Sequence, residues 1–168
     1  PSKALDPIST VIVLKVKGEL DVERLLPTQT AEGEIALTVG DANIHNPGYG
    51  GRLKIGRDSN LASHLEGWTD FRSHVDWLIK IARPGKFQIY ADVAAGERSD
   101  FYLQAHTANE KLFTINPTGD PGLFQRQLIG TIELPEGESK IVMRPQEPTW
   151  RPITLRSLTL SPLTDSEK

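Results

Sequence analysis

Six residues in this sequence have the types and neighbours that suit ligand binding: Trp68, Trp150 and Tyr49, with Asp70, Arg72 and Arg151 close by in sequence. Trp68 stands in Glu66-Gly-Trp-Thr-Asp70, Trp150 in Pro148-Thr-Trp-Arg-Pro152, and Tyr49 among the glycines of 48–51; each reads as a loop. Rings on loops at one end of a domain make stacking platforms. They suit a ligand with an apolar C–H face and a rim of hydroxyls, such as a sugar, when carboxylate and guanidinium groups stand beside them. The competing reading has both tryptophans capping the ends of a core or packing on a neighbouring domain. The third tryptophan, Trp77, shares one strand face with Val75 and Ile79 and reads as core.

Catalytic signatures are missing. The sequence has no phosphate-cradling loop ending in Gly-Lys-Ser/Thr, no Gly-x-Ser-x-Gly elbow and no His-Glu-x-x-His. His45, His64, His74 and His106 are scattered without metal-ligand spacing, and there is no cysteine to act as thiolate ligand or nucleophile. A small hydrolase would need two carboxylates converging about 5–10 Å apart. Asp70 and Asp76 are the first to inspect for that role, against the plainer reading of a turn residue and a solvated strand face.

The elements that must hold these residues are strands. Fourteen glycines and twelve prolines punctuate the chain, with turn signals at 46–48, 83–85, 117–122, 134–137 and 145–152. Between them lie short runs of period two. In Lys86–Val93 the residues Phe87, Ile89, Ala91 and Val93 share a face. His74–Ala82 sets Val75, Trp77, Ile79 and Ile81 in register, with Leu78 breaking the pattern on the opposite face. Ser139–Arg144 offers Ile141 and Met143, and Glu34–Val39 is a further strand. Arg151–Leu160 changes phase between Leu155 and Leu158, which predicts a β-bulge. Asp21–Leu26 offers at most one helical turn. This spacing predicts an all-β antiparallel sandwich or jelly roll.

At 168 residues, 38% hydrophobic and 24% charged, the chain is large enough to bury a core without disulfides. A net charge of −3 argues against nucleic acid or an anionic membrane as partner, and no apolar run approaches the length of a membrane span. Thr10–Val16 is a strong strand, followed by a polar stretch before the next one. The expected organisation is therefore a remnant strand of a preceding domain at 1–17, a linker at 18–33, a sandwich at 34–162 and a frayed tail at 163–168. With Pro-Ser-Lys at its start the chain reads as a fragment. Thr10–Val16, severed from a parent sheet, is expected to pair with the sandwich or with a second copy through residues 10–16.

Gly67-Trp-Thr-Asp70, the strand around Val75 and Trp77, Arg83-Pro-Gly-Lys-Phe87, Tyr90-Ala-Asp-Val-Ala94, Pro117-Thr-Gly-Asp120, Gly130-Thr-Ile-Glu-Leu-Pro135 and Ile153-Thr-Leu-Arg-Ser-Leu-Thr-Leu-Ser-Pro162 occur in that order. Together they resemble the C-terminal sandwich of glycoside hydrolase family 29 α-L-fucosidase-like enzymes. More broadly they resemble the galactose-binding-like sandwiches of carbohydrate-binding module families 6 and 35. The resemblance covers about residues 34–162. It implies a non-catalytic glycan-binding module, extracellular or periplasmic, with the catalytic barrel upstream in the same polypeptide. The alternative it leaves open is an accessory domain that packs on that barrel and has no ligand of its own. Calcium-binding relatives carry acidic residues in the first and last strands. Here those stretches are Ile35-Ala-Leu-Thr-Val39 and Ile153-Thr-Leu-Arg156, so no metal or other cofactor is expected. The loop after Pro117-Thr-Gly carries Asp120-Pro-Gly where many relatives place an aromatic, which leaves Phe124 as its nearest ring.

Overall fold

The computed structural model describes residues 17–18, 25–105 and 109–163. Eleven strands follow in chain order: β1 (Ile35–Thr38), β2 (Asn43–His45), β3 (Lys54–Arg57), β4 (Ser63–Glu66), β5 (His74–Ile81), β6 (Gly85–Ala95), β7 (Ser99–Ala105), β8 (Asn109–Ile115), β9 (Gln125–Leu134), β10 (Gly137–Pro145) and β11 (Ile153–Pro162). Among the described residues the only helical turn is the 3-10 turn Val39–Asp41. One sheet runs β2-β5-β10-β7-β8. The other runs β3-β4-β11-β6-β9, with β1 added beside β11. All named pairings are antiparallel. This is the expected all-β sandwich.

Its core follows from the period-two pattern. Every residue of one strand face meets the facing sheet, so the apolar set of each strand is buried as a unit. Phe87, Ile89, Ala91 and Val93 of β6 and Val75, Trp77, Ile79 and Ile81 of β5 are buried in one cluster with Ile141, Met143, Leu155, Leu158 and Leu160. Each of the larger aliphatic side chains and Phe87 contributes about 1.5–3 kcal/mol on burial. Trp77 is fully buried as expected, and its indole N–H donates to the carbonyl of Thr38 at 2.8 Å.

The phase change in the last strand is a bulge: the β11–β6 register shifts between Leu155 and Ser157, so that Leu155 and Leu158 both point inward. Arg156, the extra residue, turns to the outer face and pairs with Asp58 at 2.6 Å, its guanidinium lying 3.6 Å above the Phe124 ring. A second bulge, in β9, depends on a glycine. Where the β6–β9 register shifts at Ile89/Tyr90, Gly130 comes so close to Phe113 that a Cβ there would sit 2.0 Å from the ring.

Leu78, which interrupts the alternation of β5, lines a small cleft with Leu25, Leu26 and Pro27. That segment follows the edge of β5: Thr28 bridges to Lys80, the Lys80 N–H donates to Pro27 at 3.0 Å, and the Gln29 amide oxygen accepts from Ala82 and Arg83. The residues expected as the end of a linker thus line the sandwich. Thr10–Val16 and its proposed self-pairing, residues 19–24 and the tail after Leu163 lie outside the described residues.

Trp68 is 1% exposed and lies edge-on to Phe101, with ring centroids 5.0 Å apart. Trp68→Ala should therefore lower the unfolding free energy by about 3–5 kcal/mol. Tyr49→Ala, at a ring 91% exposed, should cost less than about 0.5 kcal/mol. Urea denaturation of the two variants checks this, and a small loss at Trp68 would contradict its place in the core.

Candidate ligand-binding site

Strand direction brings five connections to one end of the sandwich: 46–53 between β2 and β3, 67–73 between β4 and β5, 96–98 between β6 and β7, 116–124 between β8 and β9, and 146–152 between β10 and β11. The six residues singled out in the sequence sit in three of these, so chain positions about a hundred residues apart meet there. They do not all face outward.

Trp68 is the exception, and the expectation of a stacking platform there needs correcting. Its ring is inside the core and its N–H donates to the carbonyl of Ser73 at 3.0 Å, which closes the 67–73 loop around it. Gly67 makes this entry possible. It has φ +73°, and a Cβ would lie 2.5 Å from the Arg52 carbonyl oxygen. Ser73, fully buried, donates to the Asn46 side chain at 3.0 Å, and Asn46 in turn bonds both the N–H and the carbonyl of Leu53. The first two loops are thereby stitched together from beneath.

From above they are joined by a charged clamp. Asp70 accepts from the Arg72 backbone N–H at 2.9 Å, from its Nε at 3.0 Å and from its Nη2 at 2.6 Å. The same Nη2 donates to the Tyr49 carbonyl at 3.2 Å. Bonds from the Arg72 side chain, and then from its backbone, hold the Asp70 carboxyl down at about 2. Asp70 and Arg72 therefore act first as loop fasteners, while the Tyr49 ring stands in solvent.

In the 146–152 loop, the Trp150 backbone N–H donates to the Gln146 carbonyl at 2.8 Å and the Thr149 hydroxyl to the Gln146 side chain. The loop is tied to β7 by the Ser99 hydroxyl, which donates to the Arg151 carbonyl at 2.7 Å and accepts from its N–H at 2.9 Å. Trp150 is half-buried: its ring rests on the core, its indole N–H is turned inward, and the residue also lines an open cleft. The Arg151 guanidinium is 3.5 Å from Glu97.

Two adjoining clefts result. One, of about 320 Å³, is lined by Phe71, Glu147, Pro148, Trp150, Arg151 and Pro152. The other, of about 370 Å³, is lined by Phe71, Arg72, His74, Tyr102, Arg144, Pro145 and Glu147. Phe71, 43% exposed, and Glu147 belong to both. Of the sequence candidates, Trp150, Arg151 and Arg72 line the clefts, Asp70 holds Arg72, and Tyr49 is tied in through its backbone. Phe71, Tyr102, Arg144, Glu147 and His74 were missed as members. Phe71 carried a signal in being the one other ring of the Trp68–Asp70 loop. Tyr102 and Arg144 come from strands far apart in the chain, and only the β10–β7 pairing sets them side by side.

Arg144 lies 4.5 Å above the Tyr102 ring and forks onto Glu110 with Nε and Nη2 at 2.5–2.8 Å. His74 stacks on His45, centroids 4.5 Å apart. Beneath His45, Asp76 is not the solvated strand residue first expected, since its side chain is only 3% exposed. Burial pushes its carboxyl up, but bonds from Asn43 at 2.9 Å, His45 at 2.5 Å and Lys140 at 3.2 Å outweigh this and hold it below the usual range. Asp70 and Asp76 are thus each engaged by their own basic partners.

A carboxyl depressed on folding adds stability above its unfolded pKa, about 3.9, and loses that contribution as pH falls through its folded value. For Asp70 the window is from about 4 down to about 2. The stability difference between the wild-type chain and Asp70→Asn should be largest at neutral pH and shrink across that window. Thermal unfolding of both from pH 7 to 2 measures it, and a difference independent of pH would remove the clamp.

No family model and no curated protein matches the chain. Solved structures do. A family 35 carbohydrate-binding module from Clostridium thermocellum superposes with TM-score 0.63 at 13% identity, over 78% of this chain and 99% of that one. The module CsCBM6-3 from Clostridium stercorarium, solved with cellobiose, gives TM-score 0.61 at 11% identity, over 82% and 98%. The Podospora anserina GH26-CBM35 β-(1,4)-mannanase gives TM-score 0.63 at 16% identity over 79% of this chain, which spans only 28% of that enzyme. At such identities the likeness is one of fold: this chain has the β-sandwich architecture of family 6 and family 35 carbohydrate-binding modules.

Proposed function

We propose that this domain is a non-catalytic glycan-binding module, with its site at the loop end of the sandwich. The observation that carries this is the pair of adjoining clefts, where the Phe71, Trp150 and Tyr102 rings stand among Arg72, Arg144, Arg151 and Glu147. Rings supply faces for sugar C–H groups, and the guanidinium and carboxylate groups supply partners for hydroxyls. The cellobiose complex of CsCBM6-3 supports the ligand class. The mannanase, in which the matching sandwich is a minor part, supports attachment to a glycoside hydrolase. Taken with the sequence resemblance to α-L-fucosidase-like enzymes, the parent is a secreted glycoside hydrolase of that type, acting outside the cytoplasm. Open clefts of this kind bury little surface, so binding is weak.

The burial of Trp68 and the half-burial of Trp150 favour a second reading, a structural domain that packs on a catalytic barrel and has no ligand. Titration calorimetry and affinity electrophoresis on a panel of fucosylated, galactosylated and β-linked glucan and mannan polysaccharides separate the two. Binding is expected, with a loss of about tenfold or more in Phe71→Ala and Trp150→Ala. Retardation by no polysaccharide would favour the structural domain.

A further inference from the structure

The charges around the two clefts carry more than the presence of a site. Three guanidinium groups line them, and each is already matched. Arg72 places Nε and Nη2 on Asp70, Arg144 places Nε and Nη2 on Glu110, and Arg151 reaches Glu97. The bidentate fork that an arginine offers to an incoming carboxylate or sulfate is occupied in the first two. Glu147, on the shared wall, adds a fourth carboxylate that has no cation within ion-pair distance among the described residues. An anionic sugar would have to displace an existing pair and approach Glu147. An uncharged hydroxyl needs neither: it takes a remaining guanidinium N–H or donates to Glu147.

The shape adds a second constraint. Each cleft, at about 320 and 370 Å³, lies at the small end of the range that holds a small ligand, about 300–1,000 Å³. They are not separate sites, because the Phe71 ring and Glu147 border both. Trp150 lies on one side of that border and Tyr102 on the other.

We propose that the loop end takes an uncharged glycan chain across the Phe71–Glu147 border, one sugar ring in each cleft, and discriminates against acidic glycans. This rests on the glycan-binding reading and adds the ligand's charge and length to it. Phe71 and Glu147 are then the residues that contact both rings, and Trp150 and Tyr102 each serve one.

The test is calorimetric titration of the intact chain, in buffer of about 0.1 M ionic strength, with two sets of probes. The first is neutral cello-, manno- and galacto-oligosaccharides of one to four units. The second is oligogalacturonates of the same lengths. For the best neutral series the affinity should rise at least about tenfold from one unit to two and then change less than about threefold up to four. The oligogalacturonates should bind at least about tenfold more weakly, and Glu147→Gln should narrow that gap. A monosaccharide that binds as well as the disaccharide, an affinity still climbing at four units, or a preference for the uronates would each overturn the proposal and leave glycan binding standing. Absence of binding to every probe and to the polysaccharide panel would remove the underlying reading as well.

Discussion

The loop end of this molecule depends on one burial. Trp68 enters the core from a loop, and the bond from its indole N–H to the Ser73 carbonyl at 3.0 Å closes that loop on itself. A buried ring with its single donor satisfied has little freedom, so the backbone from Gly67 to Ser73 is held to one path. That path decides what is presented above it. Phe71 is turned outward, Asp70 is placed to receive Arg72, and Ser73 is placed to hold Asn46. A residue that reads in the sequence as a binding platform instead positions others.

The polar groups at this end follow the same logic. Long side chains on a surface hold a geometry only when bonded at more than one point, since each free rotamer costs entropy to fix. Arg72 is fixed by Asp70 and by the Tyr49 carbonyl, and Arg144 by Glu110 and the Tyr102 ring. Such pairing pre-forms the clefts and also neutralises them. The groups that shape the clefts are thus the same groups that set their charge.

The fold was legible in the sequence to a large degree because antiparallel strands with one buried face write their orientation into every second residue. β5, β6, β10 and β11 could be placed within two or three residues, and the bulge near Arg156 was readable as a lost phase. Leu78 looked like an error in that code and is not one, since it meets Leu25–Pro27 beside the outer face of β5. The site was legible only in part. Trp150, Arg151, Asp70, Arg72 and Tyr49 lie at the same end of the molecule as the two clefts, whereas Tyr102, Arg144 and His74 belong to strand faces that look solvated in isolation.

What the sequence alone determined is the strand pattern, the sandwich it implies and the choice of loops that carry rings. These are local properties, set by alternation and by turn residues. Which ring goes inward was decided only by the tertiary structure. Trp68 and Trp150 stand in similar contexts, each in a short loop before a strand, and the Gly67 that lets Trp68 enter the core shows its role only once the Arg52 carbonyl lies against it. The difference is what lies beneath: Trp68 finds Phe101 and a backbone carbonyl at the right distance, while Trp150 rests on the core's rim with its N–H turned inward. Burial depends on the shape of the space between two sheets, and that space exists only once strands far apart in the chain have paired.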